Sequence, residues 1–359
     1  MFERIRNAIQ NPRRTFYIIK QKTLQRNNVE YLLENLIRYF PKGGKPRVLF
    51  VGLRYDYGDI TRGLSYEENN FLNSLLNMGY DLIAYDLFAS KAKYGKKIAN
   101  NILKEISFRF KPDIIFFILF KDELDINALL EIRHILKIKT INWFCDDHWR
   151  FNIFSKYYAP YFDYVVTTFP EAVEKYKQIG CKNIIVSQWG FNHFLYRKLD
   201  LDYKYDVSFV GQPHGDRIKV INALKKAGIN VATFGLGWPN GRVSTYEMVK
   251  IFNQTKINLN LSNASRGRIN QVKGRDFEIP GSGGFMITGE SEDLKQYFLP
   301  GKEIETYKNL TELVEKVRYY LKHDTEREAI KESGYIKAQR EHTYELRLNK
   351  IFDIIFKEP

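Results

Sequence analysis

The sequence predicts an α/β protein built from two Rossmann-like domains facing each other across a cleft, and two observations carry that expectation. From Arg47 onward short apolar runs alternate with amphipathic stretches, and the rhythm restarts near residue 200. The length of 359 residues exceeds a comfortable single core and suits two domains with terminal extensions. Hydrophobic residues at 44% and charged residues at 27% leave ample apolar material to bury, which excludes a compositionally disordered chain. The predicted boundaries are 1–46 for a basic helical extension, 47–199 and 200–334 for the two domains, and 335–359 for a C-terminal helix.

In the extension, Val29, Leu32, Leu33, Leu36, Ile37 and Phe40 recur with helical spacing, and Pro41-Lys42-Gly43-Gly44 punctuates the end. A helix is expected there, just before the first strand. Phe2, Ile5 and Ile9 share a face flanked by Arg4, Arg6, Arg13 and Arg14, a pattern that fits either an anionic membrane surface or packing on the protein's own domain. Residues 1–46 hold ten Lys/Arg against three Asp/Glu, which is half of the net charge of +14. That excess favours a polyanionic partner: nucleic acid, an anionic membrane or a phosphorylated substrate. No run is long enough to cross a bilayer and Met1–Gln10 lacks a secretory pattern, so the expected location is the cytoplasm, with peripheral contact at the inner face of the cell membrane. Cys145 and Cys181 are the only cysteines and form no ligand spacing, so neither a disulfide framework nor a structural zinc site is indicated.

The first domain's expected strands are RVLFVGL, YDLIAYDL, PDIIFFILF, KTINWFCD, DYVVTTF and NIIVSQW; the second's are YDVSFVG, INVATFG, KINLNLS and FMITGE. Such runs, separated by helical patterns, argue for parallel sheets covered on both faces. Open sheets of this kind bind ligands beyond the carboxyl ends of their strands, so the loops there are where chemistry is sought.

The strongest local signal is Lys273-Gly274-Arg275-Asp276-Phe277-Glu278-Ile279-Pro280-Gly281-Ser282-Gly283-Gly284-Phe285. A small-residue turn that begins a helix frees amides for phosphate, and Gly281, Gly283 and Gly284 are the candidates for a diphosphate. Glu278 is suited to two adjacent ribose hydroxyls and Arg275 to the diphosphate charge; together they describe a nucleotide-sugar site. A surface Arg–Glu pair beside a glycine turn is the bland alternative. Gly211 ends a strand and Arg217 opens a helix, where a cation runs against the macrodipole and so points to an anion, a solvated arginine being the alternative. Gly235-Leu236-Gly237-Trp238 and Ser262-Asn263 either line a nucleotide base or close turns.

In the first domain, Asp146 and His148 lie in WFCDDH at the end of KTINWF and are the candidates for general acid or base work, taking a proton from an acceptor hydroxyl. Asp147, before the apolar stretch FNIFSKYY, reads instead as a helix cap. The adjacent pair Asp146-Asp147 has no further ligand cluster, so no essential metal is expected. Gly52–Asp59 lacks GxGxxG spacing, which makes it an acceptor-side loop rather than a dinucleotide site.

These residues resemble GT-B glycosyltransferases, in particular the bacterial group similar to the CgeB spore-maturation protein. The resemblance covers roughly residues 47–350 and is carried by YDVSFVGQPHGDR, by KINLNLSNASRGRINQVKGRDFEIPGSGGFMITGESEDLKQYF and by PGKEIETYKNLTELVEKVRYYL. It implies an N-terminal acceptor domain and a C-terminal nucleotide-sugar domain, with Glu278 on the donor ribose and Gly211 and Arg217 toward the diphosphate. It also implies a C-terminal helix within Tyr335–Phe356 that crosses back to the first domain, retention of anomeric configuration, and no metal. Where that pattern has a second glutamate, eight positions before Glu278, this chain has Asn270.

The expected activity is transfer from a nucleoside-diphosphate sugar, such as a UDP-sugar, to a hydroxyl of a glycan, a lipid-linked saccharide or a protein, with no cofactor. A catalytically silent binding or scaffold protein on the same fold is the alternative, motivated by Asn270. Nucleic-acid binding ranks last, since no RNP or zinc-finger motif is present and the excess charge concentrates in the extension.

Overall fold

The computed structural model describes residues 37–41, 43, 45–261 and 272–357, so the extension over residues 1–36, and Ser262, Asn263 and Asn270 with it, lies outside the described residues. The chain forms two compact units that divide between Gln188 and Trp189.

The first unit holds β1 (Ile37–Phe40), β2 (Arg47–Val51), β3 (Asp81–Tyr85), β4 (Ile114–Phe117), β5 (Lys139–Phe144), β6 (Tyr164–Thr167) and β7 (Asn183–Val186). Their order in the sheet is β1-β3-β2-β4-β5-β6-β7, parallel except for β1. All four residues of β4 are buried, as a strand covered on both faces requires. The helix Lys96–Phe110 turns Ala99, Ile102, Leu103 and Ile106 inward, one stripe at helical spacing. On another face, Phe71 meets Trp143 edge-on at 4.9 Å between ring centres, and Trp143 has no exposed surface.

One expectation is corrected here: Ile37–Phe40 is not the end of a helix but an edge strand, antiparallel to β3 with Ile37 opposite Tyr85. Phe40 precedes Pro41, and the proline ring disfavours helical backbone in the residue before it. Arg38 on this strand pairs with the buried Glu68.

The second unit holds β8 (Tyr205–Val210), β9 (Val231–Phe234), β10 (Thr255–Asn260), β11 (Met286–Gly289) and β12 (Glu305–Tyr307). The sheet is entirely parallel in the order β12-β11-β10-β8-β9. The helix Leu310–Tyr320 starts where the Asn309 side chain accepts the Glu312 amide at 3.0 Å, and it buries Leu313, Val317 and Tyr320. Both sheets reverse strand order once, between β2 and β4 and between β8 and β10. Ligands bind at such switch points, beyond the strand carboxyl ends.

Candidate functional site

Beyond the carboxyl ends of β8 and β9, Gly211 and Gly235 bring backbone against backbone. The Gly211 amide donates to the Phe234 carbonyl at 2.8 Å, and the Trp238 indole donates to the Gly211 carbonyl at 2.7 Å. A side chain at Gly235, whose φ is +134°, would stand 2.4 Å from that carbonyl. This packing fixes the chain where it leaves β8.

Arg217, the first residue of the helix Arg217–Lys226, returns across the switch point. Its Nε donates to the Leu261 carbonyl at 3.0 Å, its Nη1 donates to the Gln212 carbonyl at 2.8 Å, and its guanidinium lies 5.4 Å from the Phe209 ring centre. Burial and the neighbouring Arg275 depress its pKa. Two guanidiniums thus share one end of the sheet, and Arg217 has no carboxylate partner among the described residues.

Arg275 and Glu278 sit one turn apart on the helix Arg275–Gly281 and form an ion pair. Arg275 also covers the Phe252 ring at 5.6 Å. Glu278 is 1% exposed; one oxygen takes the arginine and the other, Oε1, is buried without a hydrogen-bond partner among the described residues. An unmatched carboxylate oxygen in the interior costs stability unless a donor arrives to fill it.

Asp276, which sequence reasoning passed over, locks this helix down. Its Oδ1 accepts from Asn260 Nδ2 at 2.6 Å and from Thr288 Oγ1 at 3.2 Å, and its Oδ2 accepts the Lys273 amide at 2.8 Å. Burial raises its pKa to about 6. The contacts tie the helix to β10 and β11, and their only sequence signal is a carboxylate in the helix's first turn.

The glycines occupy a different place from the one expected. The helix begins at Arg275, so Gly281, Gly283 and Gly284 fall at its end. There the amides of Ser282, Gly283 and Gly284 donate to the carbonyls of Glu278, Pro280 and Ile279 at 2.9, 2.8 and 3.0 Å. A side chain at Gly281 would meet the Phe191 ring at 2.5 Å, and Gly283 has a φ of +76°. These residues terminate the helix and admit close packing; the amides of Gly283 and Gly284 are already used.

In the first unit, Asp146 follows β5 in left-handed backbone with φ +58°, and its carbonyl accepts the Arg150 amide at 2.9 Å. His148 is half-buried, edge-on to Phe169. Asp147 is no simple helix cap: fully buried, it accepts the hydroxyls of Ser155, Thr167 and Tyr176 at 2.6, 2.5 and 2.8 Å, and burial raises its pKa. Glu67 is the titratable group that sequence reasoning missed. Burial, with Asp56 and Asp86 nearby, raises it to about 7. Its charge and that of Asp146 both act on the Cys145 thiol, which burial first of all pushes well up. Among the described residues no three His, Cys, Asp or Glu side chains are grouped to hold a metal, and no helix is long and apolar enough to cross a membrane.

Comparison with known proteins bears on this arrangement. Residues 217–353 match the family described as glycosyl transferase-like. No curated protein matches the sequence closely. Among solved structures, a glycosyltransferase from Rickettsia africae ESF-5 superposes with a TM-score of 0.61 at 14% identity, over 88% of this chain and 100% of that one. Sucrose-phosphate synthase from Thermosynechococcus elongatus gives 0.59 at 10% identity over 88% and 100%. Anabaena HepE in complex with UDP-glucose gives 0.58 at 11% identity over 87% and 100%. At such identities the likeness speaks for fold, and the fold is GT-B. The chain thus has the GT-B fold, and its residues 217–353 match a glycosyl transferase-like domain.

Proposed function

We propose that this enzyme transfers a sugar from a nucleoside-diphosphate sugar to a hydroxyl acceptor, and that Arg217, Arg275 and Glu278 hold the donor. The observation that carries the reading is the buried Glu278, with one oxygen unmatched among the described residues, beside two guanidiniums at the switch point of a parallel sheet. The unmatched oxygen suits a ribose hydroxyl, and the arginines suit the two phosphates. As the sugar–phosphate bond breaks, charge grows on the departing diphosphate, and fixed cations there stabilise it more than they stabilise the bound donor. Gly211 and Gly235 lend close backbone approach. The glycines at 281, 283 and 284 shape the helix end rather than grip phosphate.

HepE, of like fold, was solved with UDP-glucose, which supports a UDP-sugar as the first donor to try. Asp146 and His148 are proposed to handle the acceptor hydroxyl in the first unit, with Glu67, whose charge like that of Asp146 acts on Cys145, as a further proton acceptor. The family resemblance carries retention of configuration and metal independence into this reading. Product NMR tests the first and turnover in EDTA the second.

The test is calorimetric titration with UDP, GDP, ADP, TDP and CMP on the wild type, Glu278→Gln and Arg217→Ala. One nucleoside diphosphate should bind, and each substitution should weaken it about 10- to 100-fold, the span of a hydrogen bond to a charged group. Wild-type protein that is folded yet silent across the panel would remove the donor assignment. Saturable binding without turnover on any acceptor would favour the silent-scaffold reading that Asn270 motivates.

A further inference from the structure

Arg347 packs on Phe277 of the helix that carries Arg275 and Glu278, and its surroundings are unusual for a cation. It sits in the first turn of the helix Tyr344–Lys357, where the macrodipole opposes positive charge. Three amides of the helix start are already satisfied: the Tyr344 amide donates to the Phe191 carbonyl at 3.0 Å, the Leu346 amide to Thr343 Oγ1 at 3.3 Å and the Arg347 amide to the Thr343 carbonyl at 3.2 Å. The guanidinium lies 5.8 Å from the ring centres of both Phe277 and Tyr297. Its one hydrogen bond among the described residues is from Nη2 to His342 Nδ1, at 3.1 Å, and its Nε is buried without a partner there.

His342 does not offset this charge. Its Nε2 lies 3.1 Å from the Tyr297 carbonyl and so carries the proton, which leaves Nδ1 as a neutral acceptor for Arg347. The carboxylate of Glu341 is engaged elsewhere, accepting from Lys337 and Arg340 at 2.6 Å each. Burial depresses the pKa of Arg347 itself. A half-buried guanidinium beside two aromatic rings gains from cation–π attraction, yet it keeps desolvated N–H donors that no anion of the described chain meets. The side chain is partly exposed, so a solute can reach it.

We infer that Arg347 anchors a phosphate group of a bound ligand. The phosphate is either part of the nucleoside diphosphate or belongs to a separate ligand, and the two sources are separable by experiment. In the first case the inference rests on the proposed donor site; in the second it stands on Arg347 alone, apart from Glu278 and Arg217.

The experiment titrates orthophosphate and UDP into wild-type protein, Arg347→Met and Arg347→Lys, with melting temperature measured for each. Methionine keeps an apolar stem against Phe277 and Tyr297 and removes an uncompensated charge, so Tm should hold or rise while phosphate affinity falls at least 10-fold. Lysine should restore part of the affinity. Loss of affinity for UDP together with orthophosphate assigns the anchored group to the nucleotide; loss for orthophosphate alone assigns it to a second ligand. Glu278→Gln should leave orthophosphate binding at Arg347 intact, which keeps failure of the donor site distinct from failure of this one. Unchanged binding of both ligands in Arg347→Met, a lower Tm with unchanged binding, or no binding of either ligand to the wild type overturns the inference. Should Arg347→Met not fold, an orthophosphate-dependent rise in wild-type Tm that Arg347→Lys reduces decides the matter, and its absence is negative.

Discussion

His342 shows how one buried side chain sets a pH response. It is 4% exposed, packed edge-on against Phe277, Tyr297 and Phe298, and faced by Arg347, Lys337, Glu341 and the Tyr297 carbonyl. Burial first and Arg347 second push its pKa down from 6.5 to about 4. Between those values the unfolded chain binds a proton that the folded chain refuses, so this residue's contribution to stability is present above pH 6.5 and is lost as pH falls through the window. The difference amounts to about 3 kcal/mol. A glutamine can still donate to the Tyr297 carbonyl and accept from Arg347 without titrating. Denaturant unfolding of His342→Gln should therefore track the wild type near pH 7 and lose less stability toward pH 4. Parallel curves at both pH values would show that His342 is already protonated in the fold. Glu67 runs with the opposite sign: raised to about 7, it favours the folded state when protonated and weakens it as pH climbs from the ordinary glutamate value of 4.5.

Among the elements, the helix Asp324–Glu341 depends on a glycine for how closely it packs. A side chain at Gly334 would stand 2.1 Å from the Glu303 carbonyl, which is backbone and cannot swing aside. In an exposed helix, Gly→Ala stabilises by about 1 kcal/mol. Here the sign should reverse, with Gly334→Ala costing about 2–3 kcal/mol by overpacking and lowering Tm by roughly 5–10 °C. A rise in Tm on scanning calorimetry would mean that the helix stands off this segment. The elements themselves were legible where their signal is local. β4 reads as a strand because IIFF is apolar throughout, and Arg275 and Glu278 read as partners because they are three residues apart on a helix. Ile37–Phe40 misled because its apolar spacing fits a helix, whereas its hydrogen bonds come from β3, more than forty residues away. The glycine turn is legible, but the sequence reading sets it before a helix, whereas glycine is far commoner just after one and only the fold shows which amides are free. Glu67, Asp147 and Arg347 owe their character to burial and to partners from other elements, none of which a local pattern records.

At the scale of the molecule, the described cores keep to their own units. One gathers Leu49, Phe117, Phe144 and Tyr176 in the first; two others gather Phe191, Phe252 and Phe277, and Val207, Leu259 and Ile287, in the second. Every residue proposed to grip the donor also belongs to the second unit. A ligand that binds only folded protein stabilises it by RT ln(1 + [L]/Kd), about 2.7 kcal/mol at a hundredfold excess over Kd. That energy is conferred on whatever unfolds together with the site. Independent cores make the second unit the cooperative block, so its most protected amides, in β8 and β10, should exchange about 100-fold more slowly with saturating nucleoside diphosphate. Amides of β4 and β5 should be unaffected. Hydrogen exchange with mass-spectrometric readout makes the comparison on the intact chain. Equal slowing in both units would mean that they unfold as one block. Slowing confined to β4 and β5 would put the nucleotide on the first unit and displace Arg217, Arg275 and Glu278 from the donor role.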